Sequence, residues 1–136
     1  MATLRLEIVT PEARVFSADV ETVTLPGVEG ELGIYPLHVA LMTQINCGEL
    51  VIRQNGKNRH LAVGEGFVEI TGDHVAVLTD MAVDADLIDE AKVEKARREA
   101  EVRLNQQLTD EEIAITEASL AHATTQLEVK RRRQVS

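Results

Sequence analysis

One stretch of the chain has the glycine spacing of a phosphate-cradling loop: Gly27-Val28-Glu29-Gly30-Glu31-Leu32-Gly33. Such a loop turns backbone N–H groups toward phosphate oxygens, and it needs a helix N-terminus directly after it or a Gly-Lys-Ser/Thr ending. Here Pro26 opens the segment and Ile34-Tyr35-Pro36 follows it, so a strand–turn–strand corner with outward acidic side chains is expected. Glu29 and Glu31 could share acid–base work as a carboxylate pair, but alternating strand positions facing water explain them better. The histidines are His38, His60, His74 and His122, and none stands in a zinc-ligand spacing with another donor. Cys47 has no base beside it in sequence, and no nucleophile elbow is present. Catalytic and metal-binding residues are therefore expected to be absent.

Composition narrows the remaining classes. The 136 residues carry a formal net charge of -9, and only 2% are aromatic, with no Trp. A core built from them must be aliphatic, and a cleft that stacks bases or sugars on rings is not expected. Residues 1–85 hold 5 Lys/Arg against 12 Asp/Glu, whereas residues 86–136 hold 9 against 11. That excess of negative charge repels a phosphate backbone, so nucleic acid is not an expected partner. The one basic run is Lys130-Arg131-Arg132-Arg133, which as a helix end would complement the helix dipole. A single cysteine excludes an internal disulfide, and it points to a reducing compartment. No apolar run approaches the ~20 residues that cross a bilayer, and MATLRLEIVT lacks the pattern of a signal peptide. Any membrane association is expected to run through partner proteins.

The elements follow from periodicity. Leu4, Leu6 and Ile8 alternate with Arg5 and Glu7, the period of a half-buried strand. Further strand-like runs are Val20–Leu25, Val39–Thr43, Leu50–Arg53, Leu61–Val63, Phe67–Ile70 and Val75–Leu78, divided by turn residues such as Pro26-Gly27, Gly64-Glu65-Gly66 and Gly72-Asp73. Asn55-Gly56 between two of them is a two-residue hairpin signal, since both positions accept positive φ. Many short strands without an intervening helix predict an antiparallel sandwich or barrel over residues 1–85, of which the β-sandwich is expected.

From Asp86 to Arg133 there is neither Gly nor Pro. Val93, Ala96, Ala100, Leu104 and Leu108 step along one helical face, as do Ile113, Thr116, Leu120, Ala123 and Leu127. Thr109 with Glu112 three residues on is a capping box, which restarts the helix. The expectation is an α+β chain: the sandwich, then an antiparallel α-helical hairpin over residues 86–136, with helices at about 86–106 and 110–132. Ala91, Ala96 and Ala100 are expected to face Ala114, Ala118, Ala121 and Ala123. A buried methyl contributes at most about 0.8 kcal/mol, so a few kcal/mol is expected to hold the hairpin.

The run Val23-Thr24-Leu25-Pro26-Gly27-Val28-Glu29-Gly30-Glu31-Leu32-Gly33-Ile34-Tyr35-Pro36, with His38 after it, resembles the signature region of epsilon subunits of bacterial and plastid F-type ATP synthases. Gly66-Phe67-Val68-Glu69, Val75-Ala76-Val77-Leu78-Thr79-Asp80 and Ile88-Asp89-Glu90-Ala91 follow in the family's order, so the likeness spans the chain. It implies a non-catalytic subunit of the central stalk, or rotor. The sandwich would bind the gamma subunit and the ring of c subunits. The helices would regulate ATP hydrolysis at the alpha/beta catalytic head, while proton flow through the membrane sector drives ATP synthesis. The implied location is peripheral, on the cytoplasmic face of a bacterial inner membrane or the stromal face of a thylakoid.

By the same resemblance, Glu29, Glu31 and His38 are expected on the c-ring and gamma side, and Lys130, Arg131, Arg132 and Arg133 at the catalytic head. As one continuous helix, the last 48 or so residues would reach some 70 Å, against about 35 Å as a hairpin. In the family the extended form is associated with inhibition of hydrolysis. Some members bind ATP on the folded hairpin through Ile/Leu-Asp-x-x-Arg-Ala. This chain has Ile88-Asp89-Glu90-Ala91-Lys92-Val93, with His122 and Gln126 where cations on the second helix would help. Lys92 lacks the bidentate fork of arginine, so weak ATP binding or none is expected, and no cofactor. Leu37 stands where the family commonly has Gly, and Val39-Ala40 where it has Ala-Pro; both stiffen the loop. An independent nucleotide-sensing domain and a sandwich enzyme are the competing classes. The altered arginine motif weighs against the first, and the missing active-site residues against the second.

Overall fold

The computed structural model describes residues 2–37 and 39–135. Ten strands come first: β1 Leu4–Val9, β2 Arg14–Val20, β3 Thr22–Gly27, β4 Gly30–Ile34, β5 Leu41–Ile45, β6 Gly48–Gln54, β7 Lys57–Val63, β8 Gly66–Thr71, β9 His74–Thr79 and β10 Ala82–Asp84. A 3-10 turn at Ala85–Leu87 leads to α1 (Glu90–Leu104) and α2 (Asp110–Val135). The strand order is β10-β7-β6-β3-β5-β8-β9-β1-β2, with β4 beside β3. The ladders are antiparallel except between β1 and β9, which run parallel from Arg5 opposite His74 to Val9 opposite Leu78. The chain's first strand thus inserts between its own hairpin partner β2 and the late strand β9, a long-range pairing that no local pattern announces.

The sheet folds over an aliphatic core. Leu4, Leu6 and Ile8 of β1 are fully buried, and so are Leu25, Ile34, Leu50, Ile52, Val68, Ile70, Val75 and Val77 from β3, β4, β6, β8 and β9. Phe16, half-buried, packs against this core, and the Arg59 guanidinium lies 5.2 Å above its ring. The Asn55-Gly56 hairpin forms as predicted: Gln54 pairs with Lys57, and the two turn residues have φ of 54° and 74°, which a two-residue turn requires. β2 and β10 were not legible as separate strands. Arg14–Val20 carries a burial pattern without clean alternation, and Ala82–Asp84 is three residues long.

The first helix starts later than its composition suggests, at Glu90 rather than near residue 86. The Asp84 carboxylate accepts from the Asp86 N–H and closes the 3-10 turn. Ile88 and Asp89 are extended (ψ 121° and 103°). The Asp89 carboxylate then caps α1 by accepting from the Lys92 N–H at 3.2 Å. Two aspartates that compete for backbone donors therefore break the helix at its root. The second helix starts where the capping box sets it: the Glu112 N–H donates to Thr109 Oγ1, and the Thr109 N–H donates to Glu112 Oε1, both at 3.1 Å.

The alanine seam expected between the helices is not what forms. Ala100 and Ala123 are buried, whereas Ala91, Ala96, Ala114, Ala118 and Ala121 are exposed. The covered stripe of α1 runs through half-buried Val93, Arg97 and Leu104, with Ala100 buried among them. α2 must serve two partners, α1 and the sandwich, so its covered arc widens toward its C-terminal end, at Ala123, Thr125, Leu127 and Val129. A second small cluster, Ala62, Met81, Ala85, Ile88 and Val129, seats that end on the sandwich.

Candidate functional site

Chemistry-bearing residues gather at three places. The first is the acidic corner. β3 and β4 pair from Val23 opposite Ile34 to Gly27 opposite Gly30, which leaves Val28-Glu29 as a two-residue turn. Glu29 and Glu31 are both exposed, as expected. Beyond them the chain presents apolar side chains to water: Tyr35, Leu37, Val39 and Met42 are 64%, 84%, 79% and 63% exposed. Leu37 sits at φ 66°, a region costly for a branched side chain, and its N–H donates to Asp73 Oδ1 at 3.1 Å. Leu37 thus carries a branched side chain on a backbone conformation that favours glycine. His38 lies outside the described residues.

The second place is the groove between the helices. Ile88, Asp89, Lys92, Val93, His122 and Gln126, all singled out in sequence, line one cleft of about 500 Å³. Its chemistry is thin. The Asp89 carboxylate is committed to the helix cap, Ile88 is 5% exposed within the small cluster, and one ammonium with one imidazole supplies no bidentate phosphate clamp. Among the described residues no group of three or more His, Cys, Asp or Glu could hold a metal ion.

The third place is the seam between α2 and the sandwich, and the basic residues fall on it. Lys130 Nζ donates to the Ala85 carbonyl at 3.0 Å. Arg131 forks to Glu90 Oε1 at 2.8 Å and Glu94 Oε2 at 3.1 Å, both on α1. Arg132 reaches Glu49 Oε1 on β6 at 3.4 Å; Arg133 is exposed. Hydrogen bonds from Arg97 and then Arg131 hold the Glu94 carboxyl below its usual range, and the Glu90 hydrogen bond raises Arg131. In this folded form Arg131 ties α2 to α1, Lys130 ties it to the 3-10 turn, and Arg132 reaches the sandwich.

Sequence reasoning missed the rest of the seam. His122 Nε2 lies 3.1 Å from Asp80 Oδ2. Burial, partly offset by a hydrogen bond with Thr125, pushes the Cys47 thiol up. Glu49 is also 3.4 Å from His60. No spacing signals the Asp80–His122 and Cys47–Thr125 pairs, whose partners lie tens of residues apart on different elements; Glu49 and His60 stand on the two strands of one hairpin.

The two halves of this architecture are matched by two family models: the ATP synthase delta/epsilon chain β-sandwich domain over residues 3–85, and the delta/epsilon chain long α-helix domain over residues 86–131. The chain belongs to the ATP synthase delta/epsilon chain family. An ATP synthase epsilon chain of Pelotomaculum thermopropionicum is 49% identical over 102 residues, 75% of this chain and 76% of the relative. The epsilon chain of Laribacter hongkongensis is 40% identical over 93% of this chain and 92% of its own length. That of Dehalococcoides mccartyi is 41% identical over 98% and 96%. Within this family the chain is an epsilon subunit of a synthase, not an enzyme on its own. Two solved assemblies contain chains of the same fold. One is in a Euglena gracilis mitochondrial ATP synthase, OSCP/F1/c-ring (TM-score 0.67, 22% identity, covering 99% of this chain and 81% of that one). The other is in a Tetrahymena thermophila mitochondrial ATP synthase, central stalk and c-ring (TM-score 0.64, 13% identity, covering 93% and 96%).

Proposed function

We propose that the chain is a rotor subunit of an F-type ATP synthase, in which the sandwich transmits torque and the helical arm regulates ATP hydrolysis. The observation that carries this reading is the unequal burial of the two parts. Among the described residues, sixteen aliphatic side chains form the sandwich core, whereas the cluster that seats the arm has five members, of which Val129 comes from α2. Torque transmission needs a stiff body, and a close-packed aliphatic core provides one. Regulation needs a segment that opens at low cost, and few buried contacts provide that.

The acidic corner at Glu29 and Glu31, with the apolar side chains of Tyr35, Leu37 and Met42 beside it, suits docking on the c-ring and the gamma subunit. Apolar area supplies affinity there, and the carboxylates select a basic partner surface. His38 belongs to the same reading. Proton flow would turn ring, gamma and this chain as one body. The arm reads as a brake. Released, it rises toward the alpha/beta head and presents Lys130, Arg131, Arg132 and Arg133 there. Those cations can serve the folded form or the head, not both at once. The protein would be peripheral, on the cytoplasmic face of a bacterial inner membrane or the stromal face of a thylakoid, and held through its partner subunits. ATP bound in the hairpin cleft would be weak, and micromolar affinity by isothermal titration would contradict that.

The test is ATP hydrolysis by the purified catalytic core, with the chain intact or ending at residue 85. Faster hydrolysis after truncation, with coupling to the membrane sector retained, supports the brake. Unchanged hydrolysis demotes the hairpin to a structural part. Failure to co-purify with gamma sinks the whole reading.

A further inference from the structure

The seam between α2 and the sandwich contains two histidines that are placed differently. His122 is on the arm, and its carboxylate partner Asp80 is on the sandwich. His60 and its partner Glu49 both belong to the sandwich, on β7 and β6, while the arm's Arg132 approaches the other Glu49 oxygen. The first pair is built into the fold by a glycine. A Cβ on Gly64 would lie 1.9 Å from Asp80 Oδ1 and 3.1 Å from His122 Nε2, so the space a side chain would fill is where the two groups meet. The second pair is unfinished: Glu49 Oε2 and His60 Nδ1 are buried without a hydrogen bond, although 3.4 Å apart. A proton on His60 would convert that contact into a charge-assisted hydrogen bond.

We propose that the arm is held on the sandwich by a proton-sensitive latch in which His122 on α2 grips Asp80 and His60 opposes it by competing with Arg132 for Glu49. The signs follow from which body carries each group. A proton on His122 adds an attraction across the seam, so it tightens the arm. A proton on His60 neutralises, from within the sandwich, the carboxylate that Arg132 pairs with, so it loosens the arm. Histidine is the side chain that changes charge between roughly pH 5 and 8, and the neighbours of both are identifiable. His122 meets Asp80 from the sandwich and shares the cleft with Asp89, the cap of α1, and Lys92 in its first turn. Glu65 stands near Asp80, since both act on Cys47. His60 meets Glu49 and, through it, Arg132. His122 acts across the seam directly, whereas His60 acts only through Glu49, so the first sets the net sign: acid closes the arm and alkali frees it.

This deepens the reading of the hairpin as a regulatory arm and rests on it for its consequence, though not for its test. Cys47, the chain's one cysteine, lies under the arm beside Thr125, so its labelling by a small methanethiosulfonate reports arm opening in the full-length chain. Because Asp80 and Glu65 act on Cys47, each labelling rate is divided by the thiolate fraction of the same protein, read from its ultraviolet thiolate absorbance, before variant and parent are compared. At pH 6, His122→Gln should label roughly two- to fivefold faster than the parent, the span an exposed ion pair supports, and the two should converge by pH 8.5. His60→Gln should label more slowly than the parent at pH 6 and likewise converge. In the parent itself, 0.5 M salt should speed labelling at both pH values, since the Arg132–Glu49 pair stays charged throughout, and the part of that salt effect lost in His122→Gln should be present at pH 6 and absent at pH 8.5. Variant-to-parent ratios that do not change with pH, or a His60→Gln ratio above one, would overturn the latch. If the ratios behave as stated but hydrolysis by the assembled enzyme shows the same pH dependence in parent and His122→Gln, the latch stands and the regulatory reading of the arm fails.

Discussion

Replacing Val129 with alanine separates the arm from the sandwich energetically. Val129 is 1% exposed and packs on Ala62, Met81, Ala85 and Ile88, the cluster that seats α2. The change removes two methyl-sized groups from that cluster, about 1.6 kcal/mol at roughly 0.8 kcal/mol each. If the arm opens as a unit, the opening equilibrium rises roughly fifteenfold, since about 1.4 kcal/mol is a factor of ten. Cys47 reads this directly, because it is half-buried and hydrogen-bonded to Thr125 on the same helix. At fixed pH its labelling rate should rise by about the same factor, while the urea midpoint of the sandwich barely moves. In the assembled enzyme a freed arm should inhibit hydrolysis more strongly. A labelling rate within twofold of the parent would refute the idea that this cluster seats the arm. A fall in sandwich stability matching the labelling change would show that arm and sandwich unfold together.

Three further outcomes follow from particular residues. Leu37→Gly should stabilise the isolated chain by up to about 1 kcal/mol, since positive φ costs leucine roughly 1–2 kcal/mol and glycine's freedom in the unfolded chain offsets only part. Urea unfolding checks it, and a loss of stability would mean that Leu37 packs on something despite its 84% exposure. Thr109→Ala removes half of the reciprocal cap and should cost about 1 kcal/mol at the start of α2, seen as faster hydrogen exchange over residues 110–113. Acid should loosen the hairpin in a defined window. Arg97, then Arg131, lowers the Glu94 carboxyl, and the Thr109 backbone hydrogen bond, then its side chain, lowers that of Glu112. A depressed carboxyl stabilises the fold above its unfolded value, here 4.5, and that contribution is lost as pH falls through the depressed folded value. Helical circular dichroism should therefore decline as pH falls below 4.5, and Glu94→Gln should remove part of that decline.

Much of the architecture was written in local pattern. The alternation of Leu4, Leu6 and Ile8 set a strand face, Asn55-Gly56 set a hairpin register, and Thr109 with Glu112 set the start of α2. Each depends on residues close in sequence, where backbone geometry and hydrogen bonding leave few options. Even the family could be read this way, because the run from Val23 to Pro36 is one continuous strand–turn–strand corner. The tertiary structure decided what depends on distance along the chain. The parallel partnership of β1 with β9, the exposure of five of the seven hairpin alanines, and the meeting of Asp80 with His122 in the space left by Gly64 arise only when separate elements pack. The basic run shows the division most clearly. Sequence marks Lys130 to Arg133 as charge awaiting a partner; the fold determines that, in the closed arm, Lys130 meets the Ala85 carbonyl, Arg131 meets Glu90 and Glu94, and Arg132 meets Glu49. A side chain's composition fixes which partners it accepts, but only packing fixes which of them lies within reach.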